Sequence, residues 1–239
     1  MLHVDYRRFC GVGWFALSVL LIVAVPRAFG AHSGNAKETP YVRVEAVTSD
    51  LITVIEEGRG YYDADPERFY VEVDGVISPV IDYRFIAQAV MGKYGSKAQY
   101  QQLNSDQERK EFVGRVRRFT SAVRQRMVRT LSKGLMAFSG EKIEVLAPSE
   151  EELVRVERGQ AVSVTQLIYR KAEEPLRVQF KTRPGSDGEW RMINVVLNNI
   201  NLGKQYRTEF SSKLSEFGGD IDKVIAYWAQ AAGAEEAEI

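Results

Sequence analysis

The feature that most constrains this chain is a change of hydrophobic period near Gly140. Before it, apolar residues return every three or four positions, the spacing of one helix face. After it they return every second position, the spacing of one strand face. Val44, Val47, Leu51, Val54 and Ile55 form the first helical stripe, opened by Thr39-Pro40 and stopped by Gly58 and Gly60. Asp65-Pro66 opens a second, carrying Phe69, Val73, Val76 and Ile77 and closed by Pro79. Asp82 opens a third with Phe85, Ile86, Ala89 and Val90, and Gly92 lies beyond it. Ser105-Asp106-Gln107-Glu108 has the form of a capping box, in which the serine and glutamate satisfy each other's free backbone N–H groups. Phe112, Val116, Phe119, Val123, Met127 and Leu131 then descend one face, with Gly134 as the expected end.

Beyond Gly140, Ile143 and Val145 alternate with charge. Val162, Val164 and Ile168 share one side of a long strand, with Ala161, Ser163, Thr165 and Leu167 on the other. Val178 and Phe180 alternate with Arg177, Gln179 and Lys181. Pro184-Gly185-Ser186-Asp187-Gly188 is a turn cluster, and Trp190 to Leu197 form the next strand. Short connections make these strands antiparallel neighbours. Residues 147–159 are acidic and carry no clear period. Two helices, Leu202–Phe217 and Ile221–Ala231, close the pattern. This order implies an α+β domain, with helices packed on one face of a curved antiparallel sheet of about four strands. With no linker at Gly140, residues 39–231 read as one domain, followed by a disordered acidic tail over 232–239.

Ahead of that domain, Arg7 and Arg8 precede an apolar run from Phe9 to Val25, and Ala28-Phe29-Gly30 supplies small residues before a cut. This is the secretory pattern, so residues 1–30 are expected to be a cleaved signal peptide and 31–38 a flexible lead-in. If retained, residues 9–25 would make a short membrane anchor for an envelope scaffold. Cleavage removes Cys10, the one cysteine. The exported domain must then be held by its core, which about 200 residues can supply.

Composition decides which chemistries are open. Lys and Arg number 32, Asp and Glu 32, so there is no global charge for nucleic acid. The histidines are His3 and His32, leaving no positioned base for a Ser-His-Asp or Cys-His relay and no zinc-ligand spacing. No phosphate loop or EF-hand spacing appears. The expectation is a protein that is not an enzyme and carries no cofactor or metal. What stands out instead is a basic strip on the capped helix: Arg109, Lys110, Arg115, Arg117, Arg118, Arg124, Arg126, Arg129 and Lys133, opposed by Asp106, Glu108 and Glu111. Such a strip suits either a solvated face or contact with an acidic partner or head group, and Arg115, Arg118 and Arg126 are the candidate contacts. The apolar excess of helices and strands suits either a packed core or a ligand cavity. Its candidate lining is Val116, Phe119, Val164, Val178, Phe180, Val195, Leu197, Tyr206 and Phe210.

Several segments carry a resemblance. Trp190-Arg191-Met192-Ile193-Asn194-Val195-Val196-Leu197, Ile200-Asn201-Leu202 and Tyr206-Arg207-Thr208-Glu209-Phe210 resemble the signature of the MlaC-like family, also called the toluene-tolerance substrate-binding family. Asp82 with Met91-Gly92, and Gln107 to Phe119, are similar to upstream segments of that family, so the resemblance spans about Thr39 to Trp228. It implies an NTF2-like fold and a periplasmic carrier holding glycerophospholipid acyl chains in an apolar pocket. It also implies lipid shuttling between an outer-membrane lipoprotein–porin complex and an inner-membrane ABC transporter with an MCE-domain subunit, which maintains outer-membrane asymmetry. The sequence departs from the pattern at Ile193 (usually Tyr), Asn194 (Asp), Asn199 (Gly) and Asn201 (Ser). A subgroup of the family associated with hopanoid-producing bacteria makes a hopanoid or other amphiphile the alternative ligand. An enzyme on the same scaffold would need a buried carboxylate, for which Asp82 and Glu189 are the candidates.

Overall fold

The computed structural model describes residues 38–140, 142–169 and 174–234. The expected signal peptide, most of the lead-in and the last five tail residues, 235–239, lie outside these. Three helices come first: α1 (Pro40–Gly58), α2 (Pro66–Ile77) and α3 (Tyr83–Met91). Each starts where the sequence places a cap. Thr39 Oγ1 accepts from the Val42 N–H, Asp65 from Arg68 and Asp82 from Phe85, satisfying donors that a helix start leaves open. Gly92, at φ 58°, ends α3 in a conformation that favours glycine. A 3-10 turn over Gly92–Gly95 and a short helix α4 (Lys97–Gln101) follow, neither signalled by a clear period.

The long helix α5 (Asp106–Met136) opens on the Ser105/Glu108 capping box. It runs through Gly134, the expected stop, because Leu135 and Met136 pack against the hydrophobic cluster and outweigh glycine's poor propensity, about 1 kcal/mol. Then come β1 (Ile143–Val145), α6 (Glu150–Glu157), β2 (Val162–Ile168), β3 (Leu176–Pro184), β4 (Trp190–Leu197) and β5 (Ile200–Asn201). Helices α7 (Leu202–Glu216) and α8 (Ile221–Ala234) complete the described chain. Helix α6 fills the stretch without a period. Its signal is a second capping box, Ser149 with Glu152, whose helix buries none of its residues fully. The backbone of α8 continues over 232–234, where a tail was expected.

The sheet is antiparallel throughout, in the order β1-β2-β3-β4-β5, so the expected α+β class holds with five strands rather than about four. The additional strand is β5, made possible by a tight turn. Asn198 (φ 43°) and Asn199 (φ 69°) are both left-handed between the paired Leu197 and Ile200, the geometry of a two-residue hairpin turn. Asparagine tolerates that region, which explains how Asn199 can stand in a glycine position. A bulge opposite Lys181 and Thr182 leaves Ile193 as the unpaired residue of β4. Past the bulge, the free edge of β4 is closed by the α2–α3 connection: Met192 N–H donates to the Val80 carbonyl, and Asp82 N–H to the Met192 carbonyl.

The other asparagine departures have a local structural explanation. Asn194 Oδ1 accepts from the Gly203 N–H at 3.0 Å, while its Nδ2 donates to Asn201 Oδ1, also at 3.0 Å. Asn201 in turn caps α7 by accepting from Lys204 N–H. A β-carbon on Gly203 would lie 2.7 Å from Asn194 Oδ1, so glycine allows this close approach. The pair therefore fastens the start of α7 to β4. Asn201→Ala is expected to lower stability by about 1 kcal/mol through loss of the cap, read as a shift of the urea midpoint with unchanged slope.

The main core lies among the helices. Phe119 of α5, Phe210 of α7 and Trp228 of α8 are buried to within 1%. The Phe119 ring stands edge-on to both others at 5.2 Å, and Tyr206 stands edge-on to Trp228 at 5.1 Å. Helix α5 packs chiefly on α8, α3 and α2, whereas α1 approaches β1, β2 and β4, and α3 and α7 approach β4.

Candidate functional site

Strand register decides which apolar side chains share a face. Val164 is paired with Phe180, which is paired with Val195, and Val178 is paired with Leu197. Directly opposed residues point to the same side, so these five form one apolar surface. Val145, Val162, Ile168, Leu176, Thr182, Trp190 and Met192 extend it through the same register.

Burial along this face is graded. At one end Val162, Thr182, Trp190 and Met192 are all buried. At the other, Ile143, Ile168, Leu176 and Leu197 are only half-buried, although they lie on the face that carries the core. Val195 and Phe180, nearer the middle, are also half-buried; Val164 and Val178 are buried. Ile168, Leu176, Val195 and Leu197 lie outside the main hydrophobic cluster. The helices thus close one end of the sheet face and leave apolar surface at the other, where an apolar molecule could be received.

The four helical candidates sit elsewhere. Val116, Phe119 and Phe210 are fixed within the helical core, and Tyr206 is half-buried beside Trp228. The structure therefore brings the five strand residues together, sets Phe119 and Tyr206 against Trp228, and sets Phe210 against Phe119. None of the nine lines either of two open surface grooves. The larger, about 640 Å³, runs along α7 past Ile200, Lys204, Thr208 and Ser212. The smaller, about 260 Å³, lies between α2, α5 and α8 around Val71, Asp74, Arg124 and Val128.

Five arginines of the basic strip of α5 pair with acids on neighbouring helices. Arg115 Nε donates to Asp222 Oδ2 at 3.0 Å and Arg118 to Asp222 Oδ1 at 2.6 Å, which ties α5 to α8. Arg126 donates to Glu209 of α7 at 2.7 Å and lies 4.6 Å from the Trp228 ring. Arg124 pairs with Asp74, and Arg129 with Glu67, both on α2. The three arginines singled out for partner contact all make ion pairs within the chain. Hydrogen bonding from Arg115, and then from Arg118, holds the Asp222 carboxyl below the usual aspartate range. Burial alone would raise Asp74, but Arg124 and the Ser78 hydroxyl together bring it lower.

A depressed folded-state pKa stabilises above the unfolded value and is lost as pH falls through the folded one. Stability is therefore expected to decline as pH drops below about 4, the ordinary aspartate value. In Asp222→Asn that decline should be shallower. Because the Asp222 pairs are about half exposed, the loss at neutral pH in that variant should stay within about 1 kcal/mol. Urea midpoints measured across acidic pH for both proteins check this.

The carboxylates considered for acid–base chemistry have structural partners. Asp82 caps α3 and accepts from Arg183 at 3.0 Å. Glu189 is half exposed and accepts from Arg43 at 2.9 Å, closing the β3–β4 turn against α1. Sequence alternation also misses the polar residues on the apolar face, Thr182 and Gln166. Gln166, opposite Val178, is 5% exposed and donates through Nε2 to Thr48 Oγ1 at 2.7 Å. Its signal was its place in the even-numbered row of Val162, Val164 and Ile168.

Known proteins are similar to this chain in sequence and in fold. The sequence matches the model of the MlaC protein family over residues 45–230, from within α1 to within α8. It is 26% identical over 195 residues to the toluene tolerance protein ttg2D of Pseudomonas putida, covering 81% of each chain. The fold matches that of the phospholipid-binding protein from Ralstonia solanacearum, solved in complex with a phospholipid, with a TM-score of 0.64 at 14% identity. That match covers 82% of this chain and 98% of the other. With the family pattern running through the helices, the sheet and the fastened start of α7, the chain belongs to the MlaC family.

Proposed function

We propose that this protein is a periplasmic lipid carrier that receives glycerophospholipid acyl chains on the half-open end of its inner sheet face. The observation that carries the reading is the graded burial of that face, with Val195 and Leu197 left half-buried where the helices do not close over them. Family membership and the lipid held by the Ralstonia solanacearum protein support it. Each methylene moved from water to such a surface contributes about 0.8 kcal/mol, so even partial coverage of an acyl chain favours carriage over release into water. Val164, Val178, Phe180, Val195 and Leu197 are the proposed contacts. Tyr206, Phe119, Phe210 and Val116 act behind them by holding the helical layer.

In this reading residues 1–30 direct export and are cleaved. The carrier exchanges lipid with an outer-membrane lipoprotein–porin complex and an inner-membrane ABC transporter bearing an MCE-domain subunit, and so maintains lipid asymmetry. It performs no catalysis. The basic strip contributes to docking only where an acidic partner competes with Asp222 and Glu209. The test is to purify the exported protein from its own periplasm and identify lipid released on denaturation by mass spectrometry. A stoichiometric phospholipid is expected. An empty protein that also refuses added phospholipid would overturn the proposal, and a polycyclic lipid in its place would change the ligand.

A further inference from the structure

Among the described residues, the inner sheet face buries two polar side chains, and they differ in what remains unspent. Thr182 donates its hydroxyl to the Val162 carbonyl at 3.3 Å, so the sheet itself satisfies it. Gln166 lies in cross-strand register between Val145 and Val178, with Val164 and Ile168 beside it along β2. Its Nε2 donates to Thr48 Oγ1, and the Thr48 hydroxyl donates to the Val44 carbonyl at 2.7 Å. A threonine hydroxyl has one hydrogen, here spent on Val44, so it can only accept from Gln166, and the amide must turn its NH2 group toward α1. That leaves one N–H of Gln166 without a partner among the described residues, while Oε1 is not a buried unpaired atom.

A primary amide with unspent capacity in a row of valine and isoleucine is unfavourable unless something completes it. An apolar residue of the same length would fill the space without that penalty. Gln166 stands two residues in from the end of β2, about 7 Å inside the half-open end of the face. That depth suits the acyl carbonyls of a glycerolipid whose phosphate stays at the rim. Thr48 holds the amide in place, so the remaining N–H needs no reordering when a ligand arrives.

We propose that Gln166 is a specificity-determining residue that reads the ester linkage of the bound lipid, its unspent N–H donating to an acyl carbonyl oxygen. This rests on the lipid-carrier reading and adds to it a distinction between lipids with identical chains and head groups. A diacyl phosphatidylethanolamine carries the acceptor; the di-O-alkyl ether analogue lacks it.

The experiment loads the exported, delipidated protein with an equimolar mixture of these two lipids of equal chain length and reads the bound ratio by mass spectrometry. Wild type is expected to favour the diacyl lipid by about tenfold, the scale of one buried donor left unpaired. In Gln166→Met, which keeps length and removes the amide, the ratio should fall to about one. Thr48→Val, which releases the amide from its anchor, should reduce the preference. Because the readout is a ratio, a variant that loads less of both lipids still reports. Equal binding of the two lipids by wild type overturns the proposal, whatever the variants do. A preference that survives in Gln166→Met also overturns it and makes Gln166 a structural tie to α1. Refusal of both lipids by wild type would overturn the carrier reading itself, a different result from equal binding.

Discussion

Trp228→Ala is expected to lower the unfolding free energy by about 3–5 kcal/mol, the range for deleting a large aromatic from a closed core. Trp228 is fully buried and joins three helices: its ring meets Phe119 of α5 and Tyr206 of α7 edge-on, and Arg126 lies over it. These neighbours are held on helices, so the cavity term adds to the lost burial. For a domain of this size the change corresponds to a fall in Tm on the order of 10 °C. Trp228→Phe should cost much less. It keeps an aromatic ring in place and removes an indole N–H that has no hydrogen-bond partner among the described residues. Urea unfolding of the three proteins checks both statements. A Trp228→Ala midpoint close to wild type would mean that the aromatic cluster does not hold the helical layer.

The second large effect is on lipid load. Leu197→Asp places a carboxylate on the half-buried end of the inner face, opposite Val178. A bound acyl chain would have to desolvate that charge, so co-purifying phospholipid is expected to fall by at least about tenfold. The urea midpoint should change little, because Leu197 lies outside the main hydrophobic cluster. Val178→Trp tests the same surface by filling it. Val178 is more deeply placed, at 7% exposure, and this variant carries an overpacking cost of about 1–3 kcal/mol. Lipid load and unfolding midpoint measured on the same preparations separate the outcomes. Lost lipid with a retained midpoint marks a binding surface. Loss of both marks a packed core, and unchanged lipid removes the inner face as the site.

These predictions draw unequally on sequence and structure. The strand phase was legible because a two-residue period has only two possible faces. Val164, Val178 and Phe180 alternate with polar residues, and the register joins them to Val195 and Leu197, which lie in an unbroken apolar run. The bulge at Ile193 would have inverted the phase of β4 for anyone counting evenly from Trp190. Val195 and Leu197 lie beyond it, which is why they still align with Val178 and Phe180. The helical candidates were less legible. A stripe such as Val116 and Phe119 states that a face is buried, but not whether a helix, a sheet or a ligand covers it.

The asparagine departures from the family pattern likewise change meaning in three dimensions. Along the chain, Asn194 and Asn201 are only departures from the family pattern. They prove to be hydrogen-bonded to each other and to the start of α7. Asn199 lies in a hairpin turn that needs a left-handed residue.

The sequence by itself determined the local devices: the Thr39, Asp65, Asp82 and Ser105 caps, the switch from helix to strand period, and the family pattern. Each depends on residues within a few positions of one another, where chain geometry is nearly fixed. Tertiary structure alone decided that Asp222 neutralises Arg115 and Arg118, that Thr48 holds Gln166, and that one end of the sheet face stays half-open. Those facts depend on which elements become neighbours across more than a hundred residues of chain. A periodic pattern specifies the buried face of an element, but the partner that buries it is chosen by packing of the whole domain.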